Sequence, residues 1–107
     1  YVLILANELK PFLEYQKKVI EREFPYSLEK AGCEIERLTI GEKYMELVFL
    51  IPVRADIKQA LDKVINECNQ YGNFLSQVFT ITNVKELSAE EVEEIIKKNG
   101  GNSQASH

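Results

Sequence analysis

The chain has 107 residues and a mass of 12.3 kDa, enough for one hydrophobic core and too little for two. Apolar residues make up 45% and charged residues 28%, the composition of a globular domain rather than a disordered or fibrous chain. The net charge of −4 argues against a broad, non-specific coat for nucleic acid.

The acidity is local. Residues 1–85 carry 11 Lys/Arg and 12 Asp/Glu, whereas residues 86–107 carry two Lys and five Glu. No apolar run approaches the roughly 18 residues of a membrane span. The opening stretch Tyr1–Ala6 is too short for a signal peptide and lacks a preceding basic segment. The sequence opens without a Met, which leaves a missing or processed start open. Cys33 and Cys68 are too few for a disulfide scaffold and lack metal-site spacing, so a reducing, cytoplasmic setting is expected. The one histidine, His107, ends a polar tail, residues 100–107, that reads as disordered. A Ser-His-Asp triad, a Cys-His pair and a His-rich zinc site inside the fold are thereby excluded.

Tyr1-Val-Leu-Ile-Leu-Ala6 is apolar on both faces and reads as a central strand. Pro11 suits the first turn of a helix whose inner face carries Phe12, Tyr15, Val19, Ile20 and Phe24. Pro25 is expected to break or kink that helix, and Gly32 to cap its end. Glu34–Ile40 alternates as a strand, Gly41-Glu42-Lys43 reads as a hairpin turn, and Tyr44–Pro52 is the second arm. Asp56-Ile-Lys-Gln59 resembles a capping box. Ile57, Ala60, Leu61, Val64, Ile65 and Cys68 then give the clearest helical period in the chain, closed by Gly72. Phe74–Val84 holds a fourth strand, best marked by Val78–Thr82. Ser88-Ala-Glu-Glu91 is a second capping box, opening a helix with Val92, Ile95 and Ile96 inward and an end at Gly100.

The order β-α-β-β-α-β plus a C-terminal helix predicts an α+β, ferredoxin-like split βαβ domain over residues 1–99. A four-stranded antiparallel sheet would carry helices on one face, leaving the other to be covered or wet.

One stretch is more specific than its fold. Leu38-Thr-Ile-Gly-Glu-Lys-Tyr-Met-Glu-Leu-Val-Phe-Leu-Ile-Pro52 resembles the core of the single-tyrosine HUH transposases, the small insertion-sequence transposases and their REP-associated relatives. That family has a strand, a short turn, then Asp-His-hydrophobic-His-Leu-Leu-Val and a nearby Pro. The first strand with Pro11, the helix opening near Asp56, and the segment from Phe74 to Asn99 are similar to further parts of the family, over about residues 1–99.

The resemblance implies a metal-dependent DNA strand-transferase that works as a homodimer on DNA hairpins. The departures fall on its chemistry. The two His positions of the family, which hold a divalent metal, fall on Tyr44 and Glu46. The nucleophilic Tyr falls on Ile95, and a metal-assisting Gln on Asn99. With the imidazoles and the nucleophile replaced, the expected protein is transposase-like, catalytically inactive, without a cofactor, and able to hold a DNA or RNA hairpin or single strand. Lys10, Lys43, Arg54 and Lys58 are the candidate phosphate contacts, in loops and helix starts that the topology could bring near one end, with solvated surface as their plainer reading.

Plainer readings stand beside these. Taken by themselves, Tyr44 and Glu46 read first as an aromatic and a solvated acid on a sheet surface, and only second as the remnant of a site. Tyr71 reads as rim packing rather than a displaced nucleophile, and Cys33 and Cys68 as small buried apolar groups. The acidic first turn of the last helix is what the helix dipole favours. A regulatory or structural dimer, binding protein or a small molecule across the sheet, is the alternative function. A nuclease using Glu46, Asn99 and a water nucleophile comes last.

Overall fold

The structure, a computed structural model, describes residues 1–84 and 86–105, with residues 99–105 in their backbone alone. The elements are β1 (Val2–Ala6), a 3-10 turn (Asn7–Leu9), α1 (Glu14–Lys30), β2 (Glu34–Ile40), β3 (Tyr44–Leu50), α2 (Ile57–Asn69), β4 (Leu75–Ile81) and α3 (Ala89–Ala105). The four strands form one sheet in the order β2-β3-β1-β4, with every neighbouring pair antiparallel. This is the ferredoxin-like split βαβ arrangement.

β1 is a central strand, and its apolar run is buried on both sides. Strand side chains alternate, so the two faces divide cleanly. Val2, Ile4 and Ala6 join Met45, Leu47 and Phe49 of β3 and the inner faces of α1 and α2 in the main core. Tyr1, Leu3 and Leu5 point the other way, into a second layer with Val48, Leu87 and Val92, against which Ile95 and Ile96 of α3 also pack. The face that the sequence leaves open is therefore covered in part by α3.

α2 forms as its period predicts. Leu61, Val64, Ile65 and Cys68 are buried, and the Asp56 carboxylate caps the start by accepting the Gln59 N–H at 3.1 Å. The capping box at α3 closes in both directions: Glu91 N–H donates to Ser88 Oγ at 3.2 Å, and Ser88 N–H to Glu91 Oε1 at 3.1 Å.

Three boundaries differ from the sequence reading. α1 starts at Glu14, where the Gln16 side chain accepts the Leu13 N–H at 2.8 Å, rather than at Pro11. It then runs unbroken through Pro25. An interior proline costs about 3 kcal/mol, but Ile20, Phe24 and Leu28 are each 0% exposed and hold both sides of it in the core. α3 continues past Gly100 to Ala105, so the expected disordered tail is helical in its backbone over 100–105. A glycine costs about 1 kcal/mol in a helix, which need not stop one already propagating. Ser106 and His107 lie outside the described residues, as does Lys85.

Two glycines shape the ends of the β2–β3 pair. Gly32 has φ +90°, the left-handed geometry that closes α1, and a Cβ there would stand 3.0 Å from Pro52. Gly41 donates its N–H to the Tyr44 carbonyl at 2.8 Å, and a Cβ there would meet the Tyr44 ring at 3.0 Å.

Candidate functional site

Tyr44 and Glu46 stand two residues apart on β3 and so share one face. The register puts Leu5 opposite Tyr44 and Leu3 opposite Glu46, which is the α3 side of the sheet. Tyr44 and Ile95 pack against the same apolar layer. The residues at the family's two metal-ligand positions and at its nucleophile position are thus gathered on one face. The fourth, Asn99, has a side chain outside the described residues.

The closest partner of Glu46 is a residue that sequence reasoning read only as strand. Tyr1 lies two residues before Leu3 on the same face, diagonal to Glu46, and its hydroxyl donates to Glu46 Oε2. Tyr1 is buried, and its own nitrogen donates to the Thr82 carbonyl at 3.0 Å. Burial pushes the Tyr1 phenol well above its ordinary pKa, and the Glu46 bond and charge push it further, with Tyr44 adding to this and Arg37 opposing it. A phenol held protonated in this way is a poor nucleophile. The signal was present in the alternation of β1, which sets Tyr1 beside Leu3 and Leu5.

The divalent metal implied by the resemblance does not fit these residues. Tyr44 and Glu46 offer one carboxylate between them, and one of its oxygens already accepts from Tyr1. Among the described residues no three His, Cys, Asp or Glu side chains form a group that could hold an ion.

The four candidate phosphate contacts divide between two ends of the sheet. Lys43 accepts the Ala6 N–H on its carbonyl at 2.8 Å, and Glu42 accepts that of Phe12, so Lys43 and Lys10 belong to the end where β1 finishes. There Lys10 pairs with Glu8 at 3.0 Å. Arg54 and Lys58 follow the far end of β3, whose seven residues span about 20 Å at ~3.4 Å each. The expectation of one basic end is therefore corrected. Both turn segments flank a strand of fixed length, and that length keeps them apart.

Near Lys10, a cleft of about 360 Å³ lies between the 3-10 turn, the start of α1 and Asn73. Its polar groups bond to one another: Asn7 Nδ2 donates to the Asn73 carbonyl at 3.2 Å. Tyr71 sits at the rim of α2, with the Arg22 guanidinium 5.2 Å from its ring centroid. Cys33 and Cys68 are buried. Burial, followed by the charges of Glu23 and Glu67, pushes the Cys68 thiol up to about 12, so it is held as a neutral apolar group.

No family model matches the chain, and no curated protein matches it. No helix among the described residues is long and apolar enough to cross a membrane.

Proposed function

We propose that this chain is a non-enzymatic, transposase-like domain that binds hairpin or single-stranded nucleic acid as a homodimer. The observation that carries the reading is that Tyr44 and Glu46 lie on the sheet face whose apolar layer Ile95 of α3 also packs against. A strand-transferase scaffold would place its metal-ligand and nucleophile positions on such a face. Loss of chemistry follows from the same residues. Ile95 offers no nucleophilic atom, Glu46 is engaged by Tyr1, and the Tyr1 phenol stays protonated.

The test is a titration of a labelled DNA stem-loop with single-stranded flanks, followed by anisotropy at 50 and 200 mM salt. Binding that weakens steeply with salt is the expected result, because released counterions drive it. Absence of binding at low salt would remove the nucleic-acid reading. The regulatory alternative would then gain from a cleft of about 370 Å³ between β4 and α3, lined by Thr80, Thr82, Leu87 and Ile95.

A further inference from the structure

Five tyrosines are present, and the three exposed ones share a surface. Tyr15, Tyr26 and Tyr71 border the outer groove between α1 and α2, on the side of the sheet away from α3. On α1, Arg22, Tyr26 and Lys30 recur every four residues and so form one stripe, with Tyr15 a further seven residues back. The Tyr15 hydroxyl donates to the Tyr71 carbonyl at 3.4 Å, and Arg22 lies over the Tyr71 ring at 5.2 Å. Lys30 lies 5.2 Å from the Tyr26 ring, and Lys63 of α2 joins them around a recess of about 220 Å³.

The split βαβ order makes α1 and α2 antiparallel, so this groove runs from the Lys10 end of the molecule to the Arg54 end. At ~1.5 Å per residue, the α1 wall is about 25 Å long. Acids lie along it too: Glu23, Glu67 and, two turns after Arg22, Glu29. Glu23 is tied to Arg22 at 3.3 Å, and its side chain is 20% exposed against 58% for Arg22, so the cation is the outward member of the pair. The acidic stretch of α3 is on the opposite side of the sheet.

The geometry points to the α1–α2 groove as the track for a single strand of nucleic acid, with bases stacking on Tyr26 and Tyr71 and phosphates meeting Arg22, Lys30 and Lys63. Base stacking on aromatic rings tolerates any sequence, and interleaved cations follow the backbone. This rests on the nucleic-acid reading above and assigns its surface.

The chain has no Trp, so its tyrosines report their own contacts by fluorescence. A 12-nucleotide single-stranded oligothymidylate is titrated into the wild type, into Tyr26→Ala with Tyr71→Ala, and into Lys30→Glu with Lys63→Glu. Lys97→Glu with Lys98→Glu on α3 serves as a charge-matched control, and circular dichroism checks that each variant is folded. The wild type is expected to bind with quenched tyrosine emission. Both groove variants should lose about tenfold or more in affinity, and the control less than about twofold. Wild-type binding unchanged in both groove variants, or lost only in the control, overturns the groove assignment while leaving the nucleic-acid reading standing. No binding by the wild type to either this oligonucleotide or the stem-loop overturns both.

Discussion

Replacing Tyr1 with Phe removes one hydroxyl and leaves the ring in its layer with Leu3, Leu5 and Val48. What disappears is the bond to Glu46. A hydrogen bond to an ionised partner contributes about 1.5–3 kcal/mol. Glu46 is only half-buried, so water can replace the hydroxyl in part, and the loss should lie near 1–1.5 kcal/mol. For a domain of this size each kcal/mol corresponds to about 4–8 °C, so Tm should fall by about 5–10 °C. The assay is urea unfolding of wild type, Tyr1→Phe, Glu46→Ala and the double variant. A coupling energy of about 1 kcal/mol is expected between the two sites. Additivity within about 0.3 kcal/mol would refute the pairing. The same contact has an alkaline signature. The Tyr1 pKa is raised in the folded state, so its contribution is complete below the unfolded value near 10 and is withdrawn as pH rises above it. Tyr1→Phe should lose stability less steeply there than wild type.

Cys68 obeys the same linkage over another window. Its thiol rises from 9.0 to about 12 on folding, so stability is withdrawn between those values by up to about 1.4 kcal/mol per pH unit; Cys68→Ala should flatten unfolding free energy against pH, and a curve parallel to wild type would contradict the burial argument. Installing Tyr44→His together with Glu46→His sets two imidazoles on one face of β3, and Ni²⁺ at a hundredfold excess over its Kd should then stabilise the domain by about 2.7 kcal/mol; a Tm indifferent to Ni²⁺ would deny the shared face. Leu3 is 1% exposed and Val92 5%, on the two sides of the α3 layer. Leu3→Ala should cost about 2–5 kcal/mol and Val92→Ala about 1.5–2 kcal/mol in thermal unfolding; an unchanged Tm for Val92→Ala would mean that α3 is not docked through this residue.

Where burial and periodicity agree, the elements were legible in the sequence. β1 is apolar at every position because it is central and covered on both faces, and α2 repeats its apolar residues on one stripe above the sheet. α1 was harder to read. Tyr15 has helical spacing with Val19, yet it is 49% exposed, because its hydroxyl reaches out to Tyr71 rather than down to the core. Pro25 reads as a break in isolation, but local preference yields to the burial of Phe24 and Leu28. The pairing of positions 44 and 46 on one face followed from the two-residue period of a strand. Their contact with Tyr1 needed the register between β1 and β3, and that is a long-range fact. The spread of Lys10, Lys43, Arg54 and Lys58 across two ends was hidden for a related reason: turns recognised from local residues carry no label for the end of the sheet they occupy. The stripe of Arg22, Tyr26 and Lys30 was not read from the sequence, because its meaning lies in the junction with Tyr71, which depends on how α1 packs against α2.

The most direct measurement is a single reaction that reads binding and cleavage together. A 5′-labelled DNA stem-loop with single-stranded flanks is incubated with the protein and Mg²⁺ or Mn²⁺, then split between a native and a denaturing gel. The account predicts a shifted band on the native gel and an intact strand on the denaturing one, with either metal. A nicked strand in the wild type, lost in Glu46→Ala, would mean that the carboxylate beside Tyr1 performs the chemistry denied to it here.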